Sequence, residues 1–397
     1  MMEGPLSGVR VLDLSRIMAG PWSGQILADL GADVIKIERP ESGDDTRSWG
    51  PPFLKDTEGQ PTRESGYFLS VNRGKRSVAC DLATREGQEV VRAIVARSDI
   101  VLENFKVGTL ARYGLGYDDL RAVKPDLIYC SITGFGQSGP RAEHAAYDFM
   151  IQALGGLMSV TGERDDLPGG GPQKVGVPIV DIMTGMYATV GILAALVRRA
   201  RTGEGEYIDV AMLDVQTAML ANQAMNFLVS GREPARAGNK HPNIQPQDVF
   251  RCADGYLVLA VGNDTQFRRF CEVIDEAALA DDPRFATNRA RVDNLPELHA
   301  RISARFAGNT LAHWLTALEE AAIPSGPINT IPSVFQDPQV IHRGLLQQLE
   351  HPSAGVVPQV TSPLKFRAAP LRFDRAPPLL GQHTEEVLHE LGIAQPV

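Results

Sequence analysis

Cysteine is scarce in this chain, and the four present do not cluster. Cys80, Cys130, Cys252 and Cys271 are far apart, with no C-x-x-C pair. That excludes a thiol metal site and a disulfide framework, and it points to a reducing, cytoplasmic setting. Positive charge is also short: 39 Lys and Arg face 48 Asp and Glu, a formal net charge of −9. General nucleic-acid or anionic-membrane binding is therefore not expected, although a local cationic pocket for a small anion remains open. No H-E-x-x-H and no Ser/His/Asp set is present, and no metal is expected. The histidines are scattered, and only His144 and His241 fall in loops near segments of interest. No G-x-G-x-x-G follows the first apolar run; AGP stands in its place, which argues against a nicotinamide-dependent dehydrogenase. MMEGPLSG runs straight into VRVLDL, so no signal or transit segment is expected.

Long hydrophobic runs are limited to one, VGVPIVDIMTGMYATVGILAALV (Val175–Val197). Its only charge is Asp181, and Pro178 and three glycines interrupt it. With no second span beside it, the run reads as a buried core helix.

Around that helix, short apolar strands alternate with helical segments. Strands are expected at Val9–Leu14, Asp33–Glu38, Ser77–Leu82, Asp99–Glu103 and Leu127–Thr133, with helices at Ser23–Leu30, Thr84–Arg97 and Tyr117–Val123. Such alternation predicts an α/β fold with a mostly parallel sheet covered on both faces. EYIDVAML (Glu206–Leu213) reads as one more strand, leading into a helix from Asp214 to about Gly231. The expected organisation is a large Rossmann-like domain over 1–225, a linker over 226–247, a small α+β domain over 248–325, and a return of the chain over 326–397. DVFRCADGYLVLAVG reads as a hairpin turning at Asp254-Gly255. Helices follow at Thr265–Ile274, Leu295–Phe306 and Leu311–Ala322, and Thr384 begins a capped helix.

Open α/β sheets bind ligands beyond the carboxyl ends of their strands. Arg16 and Arg39 end the first two strands there, and VNRGKRS (Arg73, Lys75, Arg76) and ENFKVGTLARYG (Lys106, Arg112) add cations. Taken singly, each reads as a solvated charge or a partner of Glu38 or Glu103. As a set they suggest a phosphate site. If Pro178 opens the long helix, Asp181 closes its first turn, where free N–H groups would stabilise its charge. Thr184 and Gly185 share its face, Gly185 leaving room for a ligand. Asp181 reads either as a nucleophile towards an activated acyl group or as a cap paired with an Arg. Tyr147-Asp148 follows the glycine-rich loop SITGFGQSGP and could join it. Asp209 reads as an Arg partner and Asp214 as a helix cap.

Seven stretches in order, LDLSRIMAGP, GADVIKIERP, SVNRGKRS, VLENFKVGTLARYGLGYDDL, IYCSITGFGQSGP, GILAALVRRARTGEG and PPLLGQHTEEVLHELG, resemble the class III CoA-transferase family. The resemblance runs from Leu6 to Gly392. It implies a ring-shaped two-domain chain interlocked with a second copy as a homodimer, and coenzyme A or acyl-CoA as substrate with no permanently bound cofactor. It places the family's aspartate nucleophile on Asp181, with Tyr147 and Asp148 beside it. Its CoA contacts fall on Met18, Ala19, Arg39, Cys80 to Ala83, Asn104, Phe105, Lys106, Arg112 and Ala145 to Asp148, and the cations Arg16, Arg73 and Lys75 are added to that set. The racemase branch carries a His where Tyr147 stands, and the formyl branch carries Gln and Lys at the positions of Met18 and Ala145. GDDTRSWGPPF and APPLLGQHT resemble the succinyl-CoA and dicarboxylate branch, with glutarate as an expected acceptor. Arg73 or His241 is the expected holder of the distal carboxylate. The alternatives are a racemase-like epimerase and a CoA-binding protein without catalysis.

Overall fold

The computed structural model describes residues 4–393; the first three residues of MMEGPLSG lie outside them. The chain divides into two compact units. One comprises Met1–Leu157, Val175–Asn222 and Pro338–Val397; the other comprises Met158–Lys174 and Gln223–Asp337. The excursion Met158–Lys174, placed with the large domain from sequence, clusters with the second unit.

The first unit is built on strands β1 (Arg10–Asp13), β2 (Asp33–Glu38), β5 (Lys75–Ala79), β6 (Ile100–Glu103), β7 (Ile128–Thr133) and β8 (Glu206–Ala211). A short hairpin, β3 (Phe53–Lys55) with β4 (Pro61–Ser65), intervenes and was not expected. The six sheet strands lie in the order β5-β2-β1-β6-β7-β8, all parallel. Successive side chains point to opposite faces, so both faces must be apolar. Leu12, Ile35 and Val101 meet the helices Arg85–Val95, Tyr117–Val123 and Thr384–Leu391. Their neighbours Val11, Val34, Ile100 and Leu102 meet the helix Ala19–Asp29 and the long helix Ile179–Thr202. Thr384 does not cap its own helix; its hydroxyl accepts the Ala79 N–H at 3.0 Å and ties the returning chain to β5.

The second unit holds its own three-stranded antiparallel sheet, β9 (Gln247–Arg251), β10 (Tyr256–Ala260) and β11 (Ser325–Pro327), with the hairpin turn at Asp254-Gly255. Phe250, Leu257 and Leu259 from the sheet bury against Phe267, Phe270, Ile302, Phe306 and Trp314 of its helices. The single helix expected after β8 is two, Met212–Met219 and Ala221–Ser230, parted at Ala221 with a φ of 43°. Asp214 is thus the third residue of a helix rather than its cap.

The long helix starts after Pro178 and stops at Gly203, whose φ of 73° suits a left-handed terminus; Arg199 and Arg201 lie in its last turn, favourable to the helix dipole. By length and hydropathy it could cross a membrane. Instead Val180, Thr184, Gly185, Ala188, Thr189, Ile192 and Ala195 form its buried stripe. Ser23 and Thr189 join it to Ala19–Asp29 by a hydroxyl pair at 2.9 Å. Gly185 does not open space for a ligand: a Cβ there would sit 2.5 Å from the Ala19 carbonyl oxygen and 3.0 Å from Trp22. Its role is close helix approach. Gly185→Ala should therefore destabilise the fold by about 1–3 kcal/mol through overpacking, read as a lowered Tm.

Candidate active site

The loop after β1 is held from three directions. The Asp13 carboxylate accepts from the Ser15 hydroxyl and N–H and from Lys75 Nζ at 2.9 Å. Lys36, fully buried, donates to the Ser15 carbonyl at 2.7 Å and pairs with Asp44 at 2.9 Å. Asn104, just past β6, clamps Arg16 from both sides: its Oδ1 accepts the Arg16 N–H at 2.8 Å and its Nδ2 donates to the Arg16 carbonyl at 2.7 Å. The next residue, Ile17, has a φ of 72°. A β-branched side chain is strained in that region, and only a rigid surrounding keeps it there. Met18 and Ala19 follow directly and open the helix Ala19–Asp29.

Asp181 is the third residue of the long helix, with Pro178 as its N-terminal flank rather than its first residue. Its expected donors are taken. Asp148, first residue of the helix Asp148–Leu154, accepts the N–H groups of Val180 at 2.7 Å and Asp181 at 3.2 Å, and Gln152 holds its other oxygen at 2.6 Å. Asp148 is thus the cap of the long helix, built from residues more than thirty positions away. The Asp181 carboxylate makes no hydrogen bond or ion pair among the described residues. Burial first, and the neighbouring Asp148 charge second, push its pKa up to about 7.

Asp181 opens into a cavity of about 180 Å³ whose walls include Met18, Ala19, Asn104, Phe105, Lys106, Ala145 and Tyr147. A second cavity of about 250 Å³ is lined by Arg39, Cys80, Asp81, Leu82, Ala83 and Tyr113. Arg16 and Phe105 line both, which makes them neighbours along the carboxyl edge of the sheet. At that junction Asp45 holds Arg16 at 2.9 Å and Arg39 at 2.5 Å. The pair of cavities suits an elongated ligand with an anionic section near two guanidinium groups and a reactive end at Asp181.

Residues 6–384 match the CoA-transferase family III. The chain belongs to that family. It is 53% identical over 387 residues to a succinate–glutarate CoA-transferase of Agrobacterium fabrum, covering 98% of this chain and 96% of that one. It is 41% identical to the human succinyl-CoA:glutarate CoA-transferase, at 98% and 86% coverage. Against the succinyl-CoA:mesaconate CoA-transferase of Haloarcula hispanica the identity is 40%, at 98% and 97%. Among solved structures it is similar to a CAIB/BAIF family protein from Brucella suis, with a TM-score of 0.86, 49% identity and coverage of 98% and 100%. This transferase is therefore an enzyme that moves CoA between acyl groups, with CoA thioesters as substrates.

Four cations expected at the ligand are elsewhere. Arg73 is buried in a bidentate pair with Asp29, at 3.0 and 2.7 Å, and donates to the Val360 carbonyl. Lys75 is buried on Asp13, the Pro21 carbonyl and Asn72. Arg73 precedes β5 and so lies at the edge opposite the ligand-binding ends of the strands. The Lys75 ammonium instead reaches the end of β1 and is taken up there by Asp13, beneath the loop. Arg76 likewise pairs with Asp33, Glu386 and Glu390. Arg112 is exposed, touches Thr109, and lines neither cavity. Glu38 pairs with Arg47 rather than Arg39. Glu103 takes the Ser131 hydroxyl and the Phe105 N–H, and burial raises its pKa to about 7. Asp209 accepts the Gln137 N–H instead of an Arg. His241 organises its own turn, its Nδ1 accepting the N–H groups of Asn243 and Ile244.

One neighbour of Asp181 went unread in the sequence. Tyr67 is raised to about 12 by burial and then by the charges of Asp181 and Asp148, so it shares their electrostatic environment. Its ring meets Trp49 edge-on at 5.1 Å. No spacing rule links Tyr67 to a residue more than a hundred positions later.

Two outcomes are expected. Asp148→Asn keeps a cap oxygen but removes the like charge, so the Asp181 carboxyl should titrate at lower pH than in the wild type, read by an NMR pH titration. Arg73→Met leaves the Asp29 carboxylate buried without its cation and should cost about 3–5 kcal/mol of stability. The KM for acyl-CoA of the folded fraction should stay within twofold of wild type by steady-state kinetics.

Proposed function

We propose that the enzyme takes succinyl-CoA as donor and a dicarboxylate of the glutarate type as acceptor, with Asp181 as nucleophile. The observation that carries this reading is the unpartnered Asp181 carboxylate facing a cavity that adjoins a second one at Arg16 and Phe105. The substrates named for the relatives support the donor and acceptor class.

In this route the Asp181 carboxylate attacks the donor thioester carbonyl and expels CoA thiolate, leaving an acyl-aspartyl anhydride. The thiolate then attacks the aspartyl carbonyl, releasing the donor acid and leaving an aspartyl-CoA thioester. The acceptor carboxylate attacks that thioester, and the thiolate freed by it takes the acceptor acyl group, restoring Asp181. Each step breaks one acyl bond and makes another, so no ATP and no metal enters the balance. Arg39 and Arg16 meet the phosphates, displacing their shared partner Asp45. Cys80 to Ala83 and Phe105 wall the nucleotide end, while Met18, Ala19 and Tyr147 wall the thioester end.

The enzyme is further proposed to work as a homodimer. The long helix leaves Met186, Tyr187, Val190 and Val197 exposed, and Asp148–Leu154 leaves Phe149, Met150 and Leu154 exposed. An apolar surface of that kind beside an active site is suited to cover by a second copy. The four cysteines are free and buried, as suits a reducing cytoplasm.

The test incubates the enzyme with succinyl-CoA and a panel of carboxylates, then traps the intermediate with hydroxylamine or borohydride. Transfer to glutarate with modification confined to Asp181 is expected. Asp181→Ala should lose transfer by about 10³-fold or more; transfer at the wild-type rate, or epimerisation of a 2-methylacyl-CoA without transfer, would overturn the reading.

A further inference from the structure

We infer that His144 sets the preference for dicarboxylates by holding the distal carboxylate of the acyl group, an inference that rests on the dicarboxylate reading above. One carboxyl group of such a substrate reacts at Asp181. The other stays ionised in a cavity walled in part by Met18, Ala19, Ile132, Ala145, Ala146 and Met212. A carboxylate desolvated there needs a cation or strong donors.

Three basic side chains line this cavity among the described residues: Arg16, Lys106 and His144. Arg16 lies at the junction of the two cavities and is bound to Asp45. Lys106 adjoins Phe105, which also lines both. Arg16 therefore stands on the CoA side, whereas Lys106 lines only the Asp181 cavity, directly after that shared residue. His144 also lines only the Asp181 cavity, and unlike Lys106 it does not adjoin a residue shared with the CoA cavity.

Its position is built. The His144 N–H closes a turn on the Arg141 carbonyl at 2.9 Å, and its ring meets Phe135 edge-on at 6.1 Å. Phe135 in turn packs with Ile151, Met212 and Val180, the residue before Asp181. Imidazole and nucleophile are thus tied to one packed block. The Arg141 guanidinium lies 5.9 Å from the same Phe135 ring and adds positive potential on that side. Neither His144 nor Arg141 is paired with a carboxylate among the described residues, so a substrate carboxylate meets no internal competitor.

The test compares two acceptors of equal chain length, glutarate and pentanoate, with succinyl-CoA as the common donor. In a double-displacement reaction, kcat/KM for the acceptor reports only its own half-reaction, so the glutarate-to-pentanoate ratio isolates the distal carboxylate. His144→Phe should lower that ratio about tenfold, the worth of one charged hydrogen bond, with kcat/KM for pentanoate held. His144→Arg should restore most of it. A ratio unchanged in His144→Phe, or a parallel fall for both acceptors, would overturn the inference, as would a wild-type enzyme indifferent between them. Should His144→Phe fail to fold, the same criteria apply to His144→Leu. Failure of the wild type to transfer to any carboxylate would instead remove the functional reading itself.

Discussion

The Asp148 carboxylate on the first turn of the long helix is the contact from which the rest of the site follows. A helix N-terminus offers a few free N–H groups, and an acidic residue placed there is ordinarily stabilised by them. Here Asp148 accepts those of Val180 and Asp181, and Gln152 saturates its second oxygen. Asp181 is left with the disadvantages of the position: a half-buried carboxylate, a like charge nearby and no donor. Its raised basicity is a consequence of that division between two acids. A more basic carboxylate is a stronger nucleophile towards a thioester, and at about 7 its pKa still leaves a large ionised fraction near neutral pH.

Holding the reactive end of a thioester against such a group requires a rigid opposite wall. That wall is the loop Ser15–Ala19, whose strained Ile17 is maintained by Asn104 on one side and by the buried Asp13, Lys36, Asp44 and Lys75 charges beneath. Buried ions seldom stabilise a fold in net terms, but breaking one leaves its partner stranded, so they fix geometry strongly. The same economy of charge governs the anion end. Arg16 and Arg39 are kept in place by one shared carboxylate, Asp45, and in the proposed binding mode a phosphate takes its place. An acidic protein can in this way bind an acidic substrate.

What could be read in the sequence follows the range of the forces involved. β2, with Val34, Ile35 and Ile37, and the helices Tyr117–Val123 and Leu295–Phe306 were expected at their observed ends. Asp181 stood out as the one charge in an apolar run. Its cap did not, because Asp148 reaches the helix over a gap of 32 residues that includes a segment of the second unit. Arg73 carried the right charge in the wrong place, because a cation that precedes its strand sits at the opposite edge of a parallel sheet, and Lys75 reaches the loop of the site only to be buried on Asp13. Gly185 was read as room for a ligand since sequence shows the absence of a side chain and not what fills the space. Tyr67 reaches the site through tertiary contacts alone.

The energetic strain at Asp181 also bears on the stability of the protein. A carboxylate whose folded-state pKa is raised contributes stability below its ordinary range near 4, and that contribution is lost as pH rises through about 7. At neutral pH the free enzyme therefore carries an ionised Asp181 at a cost. In the proposed route both covalent forms, the anhydride and the CoA thioester, are uncharged at this side chain. Each removes the repulsion from Asp148 and the desolvated charge together. The free energy that burial withholds from the resting carboxylate thus returns on acylation and offsets part of the penalty of making an anhydride. The apolar surroundings that raise the pKa are also the ones that exclude water from it, so one arrangement of the long helix serves both reactivity and protection of the intermediate.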